Sequence, residues 1–390
     1  MVTVEEALKN IKECAIPFSS EEVSLEDAHG RVLDTDIVAD RDFPPYHRSA
    51  MDGIAISSNQ AKKKSFKVIG EQLAGAPQRT LRDENTCFEI MTGASLPLGT
   101  DSVVRYEDVS IEDGMATLTI DEITPDQNVH KKGTDAHKGD VLVQSGKQIN
   151  AGDIGILASV GKTRFEVKRL PRVALVSTGD ELVEPQEIPL DHQVRKSNIY
   201  SLLSELKNER LQVEKFHFDD EYDEIKAGLS EISEKFDVIL MSGGVSKGKR
   251  DYLPEVLEEI GVRKHFHRIA QKPGKPMWFG SNEKVTVFGF PGNPVSTLVC
   301  YRLYFKRWLN FASGIESSGK MAELTEDIHF KPDLVYHVPV AISHNENRIL
   351  ATPFPGHGSG DLVNLSKADA FLTLPRGKNH FLKGEVYSLF

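Results

Sequence analysis

Cysteine is scarce in this sequence. Its three cysteines, Cys14, Cys87 and Cys300, lie far apart in 390 residues and form no Cys-x-x-Cys pair. That excludes a structural zinc site built on such pairs. The expectation is three reduced, partly buried thiols. Long apolar runs are also missing, since none approaches the roughly 18 residues that span a bilayer. Met1 to Ala15 mixes Glu and Lys with apolar residues and lacks the basic start and apolar block of a signal peptide. A cytoplasmic protein with no membrane partner is therefore expected. Positive charge is in deficit, with 47 Lys and Arg against 58 Asp and Glu and a formal net charge of −11. A general nucleic-acid binder needs a basic face, so nucleic acid is not an expected partner. An anionic substrate needs a local cluster of Lys, Arg or backbone N–H groups to overcome the overall repulsion. No Gly-x-Ser-x-Gly elbow, Walker A loop or His-Glu-x-x-His helix occurs.

What remains is an ordinary globular composition, and the length suits two to four domains of roughly 100–200 residues. Thr3-Val4-Glu5-Glu6 has the spacing of a helix capping box. Val4, Ala7, Leu8, Ile11 and Ala15 then share one helical face. From Val23 to Gln148, short alternating runs such as Val103–Tyr106 and Ala116–Ile120 are separated by Gly, Pro and Asp turns, which reads as mainly β. A short helix over Asp153–Ser159, ended by Gly161, and a strand over Thr163–Lys168 follow. After Pro171 the pattern changes. Val173–Val176 is a continuous apolar run, the mark of a strand buried on both faces. A helix built on Ile199, Leu202, Leu203 and Leu206 comes next, with Ser197 or Asn198 as its cap. A strand over Leu211–Phe218, a helix on Ile225, Leu229, Ile232 and Phe236, and a strand over Asp237–Met241 continue the alternation. A helix around Leu253–Ile260, strands near Val262–Ile269 and Val285–Phe290, and a longer helix from Val295 to about Phe311 complete it. Strands alternating with helices predict βαβ units in a doubly wound sheet. Gly314–Gly319 reads as a linker, and Asp333–Ser343, Arg348–Pro353, Ala370–Leu374 and Val386–Phe390 as strands of a small β domain. The expected architecture is α/β multidomain. It has a discontinuous N-terminal domain (1–38 with 140–170), a mainly-β domain (39–139), a doubly wound α/β domain (171–313) and a C-terminal β domain (320–390).

In open α/β sheets, ligands bind beyond the carboxyl ends of the strands. Four unusual segments fall there: Ser177-Thr178-Gly179-Asp180-Glu181-Leu182, Asp219-Asp220, the run from Ser242 through Gly243-Gly244-Val245-Ser246 to Asp251, and Phe290-Pro291-Gly292-Asn293-Pro294-Val295-Ser296. Glycine-rich turns let backbone N–H groups approach an oxyanion, and a following helix adds a favourable dipole. The carboxylates of Glu181, Asp219 and Asp251 can share a magnesium ion that bridges phosphate oxygens. Arg268, Lys272 and Lys275 supply positive charge, and Pro273 restricts the loop that holds both lysines. Singly, each feature has a plainer reading. Gly-Gly-Val-Ser also makes a tight turn, Asp219-Asp220 also caps a helix, and Lys247, Lys249 and Arg250 also make a solvated face. Pro-Gly-Asn-Pro is also a rigid turn. The argument rests on their convergence. His217, His265 and His267 suggest a metal, and His265 and His267 share a strand face, but no third ligand or cysteine partner is evident, so no metal is expected there. His47 reads as a loop residue.

These segments resemble the MoeA family, the molybdopterin molybdenumtransferases related to the E domain of gephyrin. The resemblance rests on Ser49-Ala50-Met51-Asp52-Gly53 with Ala55, Thr92-Gly93-Ala94, the Ser-Thr-Gly-Asp-Glu-Leu loop, Gly-Gly-Val-Ser-x-Gly-x-x-Asp-Tyr, Lys-Pro-Gly-Lys-Pro and Pro-Gly-Asn-Pro-Val-Ser. It covers nearly the whole chain in order. It implies an elongated homodimer of four-domain subunits with composite active sites. It also implies conversion of adenylated molybdopterin and molybdate into molybdenum cofactor, with magnesium as cofactor and AMP released. By motif, Asp52, Thr92 and Asp135 fall in the domain that faces the partner subunit's site. Glu181, Asp219 and Asp251 match acidic active-site positions. Arg268 stands where many relatives have Lys. Lys272, Lys275, Pro291, Pro294 and Ser296 match the substrate and molybdate pocket, and Ser359 matches a serine of the last domain. His337 stands near a family arginine. The partners implied are the pterin and molybdate, a molybdopterin adenylyltransferase and molybdoenzymes. Two other functions stay open at this point, a non-catalytic scaffold of gephyrin type and an adenylyltransferase. The latter carries Gly-Gly-Thr-Gly where this chain has Gly243-Gly244-Val245-Ser246.

Overall fold

Val173–Val176 forms the middle of a strand that is buried on both faces, as an apolar run of that kind requires. The computed structural model describes residues 1–245, 252–315, 319–354 and 356–390. Ser246, Lys247, Lys249, Arg250 and Asp251 lie outside the described residues. The chain divides into two units, Met1–Glu21 with Lys168–Phe390, and Glu22–Val167. Among the described residues no helix is long and apolar enough to cross a membrane.

The first unit opens with α1 (Val4–Glu13), whose capping box of Thr3 and Glu6 is formed as expected. Its α/β part runs β1 (Arg172–Thr178), α2 (Ser197–Asn208), β2 (Gln212–Phe218), α3 (Tyr222–Lys235), β3 (Val238–Ser242), α4 (Leu253–Glu259), β4 (Arg263–His267), β5 (Trp278–Ser281), β6 (Thr286–Phe290), α5 (Pro294–Cys300) and α6 (Lys306–Ser313). The sheet order is β2-β1-β3-β6-β5-β4. The first four strands are parallel, while β5 and β4 form an antiparallel edge. Successive residues of a strand face opposite ways, and here both faces are covered. Val173 and Leu175 pack with α1, α2 and the Tyr301–Leu309 stretch, whereas Ala174 and Val176 pack with α3 and α4. The sheet is therefore doubly wound. Each fully buried large apolar side chain of these clusters contributes about 1.5–3 kcal/mol. The longer helix expected from Val295 contains a π turn at Tyr301–Phe305, which buries Tyr301, Tyr304 and Phe305 together.

After α6 come β7 (Lys320–Leu324), β8 (Val335–Asn345), β9 (Arg348–Pro353), β10 (Ala370–Leu374) and β11 (Val386–Leu389). They pair in the order β8-β9-β7-β11-β10, and β10 pairs back to β8, closing a ring around Val338, Val340, Leu372 and Leu374. The short strand Gln271–Lys272 adds to β8 in parallel, at Val335 and Tyr336. That pairing ties the lysine loop to the C-terminal barrel.

The second unit has a six-stranded sheet in which Gly53–Ile56 lies between Ser102–Arg105 and Thr86–Ile90. A β-carbon at Gly53 would lie 1.9 Å from the Val104 carbonyl oxygen, so only glycine lets Gly53–Ile56 approach Ser102–Arg105 this closely. A separate apolar cluster joins Val23, Leu33, Ile37, Val143, Leu157 and Val167. Its helix, Ala151–Ser159, starts before Asp153 because Asn150 and Asp153 form a reciprocal capping box.

Candidate functional site

The connection from β1 to β2 leaves on one face of the sheet and that from β2 to β3 on the other, so the topological switch lies between β1 and β3. A cavity of about 400 Å³ opens there, bordered by Ser177, Thr178, Glu181, Asn198, Ser242, Gly243, Gly292, Asn293 and Pro294. Asn198 donates from Nδ2 to Ser242 Oγ at 3.0 Å and to the Gly292 carbonyl at 2.6 Å. Neither Ser197 nor Asn198 caps α2, whose N-cap is Lys196 and which has no side-chain capping bond. The tertiary contact has taken the Asn198 amide, and with it the capping role expected from sequence. Thr178 Oγ1 is buried and has no hydrogen-bond partner among the described residues.

A second cavity, about 360 Å³, is bordered by Lys272, Pro273, Val295, His337, Phe354 and Ser359. The Pro291–Ser296 loop separates the two, with Pro294 on the first and Val295 on the second. Asn293 Nδ2 donates to Ser359 Oγ at 2.8 Å, and the Val295 N–H donates to the Ser359 carbonyl at 3.0 Å. Lys272 and Lys275 are exposed. Lys272 Nζ lies 5.8 Å from the centre of the Phe330 ring. The turn between the lysines needs Gly274, which has φ of 87°. A β-carbon there would lie 2.7 Å from Cys300 Sγ and from Gln271 Nε2.

Three expected pocket residues have other surroundings. Ser296 is buried on α5 at 3% exposure. The Pro291 carbonyl accepts from Thr297 Oγ1 at 2.7 Å. Arg268 is half-buried at φ 81°, and its Nε lacks a hydrogen-bond partner among the described residues. None of the three borders either cavity. His337 is fully buried. Its Nδ1 lies 3.1 Å from Thr373 Oγ1 and its Nε2 3.3 Å from Gln271 Oε1, and Tyr304 donates to the same oxygen. Burial pushes its pKa down to about 3, so the ring is neutral at pH 7.

Glu181 and Asp219 are both exposed, beyond the ends of the paired strands β1 and β2. Asp219 Oδ1 lies 3.7 Å from His217 Nε2. It does not cap α3, whose N-cap is Glu221. Among the described residues no three His, Cys, Asp or Glu gather as a metal site, and Asp251 lies outside them. His265 and His267 find other uses. His265 Nε2 lies 2.8 Å from Ser281 Oγ and 3.3 Å from Cys14 Sγ, and His267 Nε2 lies 2.9 Å from the Val245 carbonyl.

In the second unit, Asp52 Oδ1 accepts from the Thr92 N–H at 2.6 Å and from Thr92 Oγ1 at 2.8 Å. The backbone bond, followed by the hydroxyl bond, holds its carboxyl below the usual range. Backbone pairing holds this segment together, since the Gly93 N–H donates to the Ser49 carbonyl and the Ala50 N–H to that of Asn128. Asp135 Oδ1 lies 3.1 Å from His130 Nε2, and Arg48 lies 3.1 Å from His130 Nδ1. Asp52 and Thr92 thus touch directly, and Asp135 stands at the end of an Arg48–His130 relay.

Sequence reasoning placed Thr178 and Asn293 in candidate loops and Asn198 at a helix cap, but missed the unpartnered Thr178 hydroxyl and the long-range bonds of the two asparagines.

Residues 2–161 match the model of the MoeA N-terminal region (domain I and II), residues 174–310 a probable molybdopterin binding domain, and residues 321–388 the MoeA C-terminal region (domain IV). A molybdopterin molybdenumtransferase of Synechocystis sp. is 39% identical, with 100% of both chains covered. One from Bacillus subtilis is 30% identical, covering 99% of this chain and 93% of that one. The solved molybdopterin biosynthesis MoeA protein of Pyrococcus horikoshii has a TM-score of 0.84 at 26% identity, over 100% of this chain and 99% of its own. The match runs the full length at 39% identity, and the chain belongs to the MoeA family of molybdopterin molybdenumtransferases.

Proposed function

We propose that this chain inserts molybdate into adenylated molybdopterin, giving molybdenum cofactor and releasing AMP. The observation that carries this reading is the pair of adjoining cavities on either side of the Pro291–Ser296 loop. The first, at the switch point, suits the pterin and its adenylate. The second has both Lys272 and Ser359 in its wall, which suits a small oxyanion. Lys275 stands on the same short loop, and neither lysine forms an ion pair among the described residues. Arg268, Pro291 and Ser296 then act by shaping the loops that hold these groups.

Magnesium is part of the proposal. Glu181 and Asp219 offer hard oxygen ligands beyond neighbouring strand ends, and Asp251 is the third donor expected from sequence. The ion would neutralise charge on the phosphate and on the leaving oxygen. Asp52, Thr92 and Asp135 are proposed to complete the site of a second copy in a homodimer. Partners that fit are the molybdopterin adenylyltransferase that makes the substrate and the molybdoenzymes that accept the product. A cytoplasmic location is proposed on the three free thiols. The division into 1–38 with 140–170, 39–139, 171–313 and 320–390 is proposed as well; the clusters of Val23 with Val143, of Ile54 with Phe66 and of Val338 with Leu372 support it, whereas Val4, Ala7 and Ile11 pack with Val173 and Leu175 of the α/β core.

The test is direct. The purified protein is loaded with adenylated molybdopterin, molybdate is added with magnesium, and AMP is measured. A transferase releases AMP on molybdate addition. A scaffold releases none, and an adenylyltransferase consumes ATP instead, so either outcome would end this reading.

A further inference from the structure

A serine hydroxyl has one proton to give and two lone pairs to offer. What fixes the direction of the Ser359 hydroxyl is its partner. Asn293 Nδ2 donates to Ser359 Oγ at 2.8 Å, and Oγ has no other partner among the described residues. One lone pair is therefore occupied, and the proton is left unspent beside the second cavity, which Ser359 borders with Lys272. We propose that Asn293 is a positioning residue that sets Ser359 as a hydrogen-bond donor to molybdate.

The backbone around Asn293 is built to hold that amide still. Pro291 and Pro294 flank it, each with a fixed φ. The Asn293 carbonyl accepts from the Thr297 N–H at 2.9 Å and from Thr297 Oγ1 at 3.1 Å. The Val295 N–H holds the Ser359 carbonyl, so the serine is fixed at both its backbone and its side chain. An oxyanion accepts hydrogen bonds and donates few. A wall that presents an ammonium at Lys272 and an oriented O–H at Ser359 matches it, and disfavours a ligand group that must donate. Asn293 thereby contributes to the choice of ligand without touching it.

The inference rests on the reading that the second cavity holds molybdate. Failure of that reading appears as no molybdate-dependent AMP release by the unaltered enzyme. The inference itself is tested with Asn293→Ala, Asn293→Asp, Ser359→Ala and the double alanine variant, in the full-length enzyme. Asn293→Ala is expected to raise the KM for molybdate about tenfold, since a bond to a charged ligand weakens. Asn293→Asp is expected to raise it at least as much, because a carboxylate only accepts and would take the Ser359 proton. In the Ser359→Ala background, adding Asn293→Ala should change KM by less than about twofold, the signature of two residues acting as one. Asn293 also borders the first cavity, so affinity for adenylated molybdopterin without molybdate should fall, but by much less than the molybdate KM rises. The melting temperature should stay at the unaltered value. Wild-type molybdate KM in Asn293→Asp overturns the proposal. So do additive effects of the two alanine changes, or an equal loss of affinity for adenylated molybdopterin, which would mark a general loop role.

Discussion

A buried neutral imidazole at position 337 occupies the region where the family resemblance expects an arginine. Gln271 Oε1 can only accept, so His337 Nε2 donates to it and Nδ1 accepts from Thr373 Oγ1. The ring thus presents no cation to the adjoining cavity, and on the proposed reading Lys272 carries more of the binding there. Removing a lysine should then cost heavily. Lys275→Ala or Lys272→Ala is expected to weaken molybdate or adenylated pterin binding by about 1.5–3 kcal/mol, the range for a lost charged hydrogen bond. Equilibrium titration checks this, and unchanged affinity for both ligands would remove that lysine from the site. His337 carries a separate expectation for stability. Its folded pKa of about 3 lies below the ordinary value of 6.5, so the unfolded chain takes up the proton first. The stabilisation is full above pH 6.5 and is lost as pH falls through the folded value. At pH 4.5 the loss from this residue is about 2–3 kcal/mol, two pH units below the unfolded midpoint. Urea unfolding of the unaltered protein and of His337→Gln at pH 7 and pH 4.5 measures it. The drop between the two pH values should be smaller in the variant by that amount, and equal drops would refute the assignment.

Elements were legible where one face or both faces of a segment are apolar. The buried run of β1, the helical faces of α2 and α3, and the capping box of α1 follow from local pattern, because the residues that decide them are neighbours in sequence. β7 was not legible. Lys320-Met321-Ala322-Glu323-Leu324 is composed of good helix formers, and only pairing with β9 and β11 makes it a strand. β5 was missed for its length of four residues and its glycine at 280. The π turn at Tyr301–Phe305 answers to packing of three large rings, which no 3.6-residue period encodes. The site divides in the same way. The loops that carry the charged residues were readable, but Ser296, Pro291 and Arg268 border neither cavity, because burial is settled by tertiary contacts. The lysine loop supplies a prediction at this scale. Gly274→Ala forces a side chain into a left-handed conformation and into Cys300 and Gln271. It should destabilise the protein by about 2–3 kcal/mol, combining backbone strain and overpacking. It should also raise the molybdate KM while both lysines remain. Thermal unfolding and steady-state AMP release measure the two effects, and a variant with normal stability would show that the turn can relax.

At the scale of the whole molecule, a net charge of −11 sits beside a reading that requires two anionic substrates. Local cations at Lys272 and Lys275 answer part of that. Asp52, Thr92 and Asp135 raise the other half of the question, since they lie in the second unit, far in sequence from the lysine loop. The Asp52 carboxylate is exposed and ionised. Thr92 occupies Oδ1 with two hydrogen bonds, and no described residue donates to Oδ2. A structural cap would be served by that one oxygen, whereas a site residue needs the other free. If a second copy of the chain completes each site, the two lesions should rescue one another. Assayed at substrate concentrations well below saturation, Asp52→Ala and Lys275→Ala homodimers are each expected to be strongly impaired. In a heterodimer, one site combines Lys275 from the first chain with Asp52 from the second and is intact, while the other site carries both lesions. Half the dimers in an equal, fully exchanged mixture are heterodimers, so AMP release should return to about a quarter of the unaltered rate in a twofold assembly. If each site lay within one chain, both sites of the heterodimer would carry a lesion and activity would stay at the level of the separate variants. Differently tagged chains, purified as heterodimers before assay, distinguish these outcomes. Absence of recovery in such verified heterodimers would rule out composite sites and return Asp52 to the role of a loop anchor.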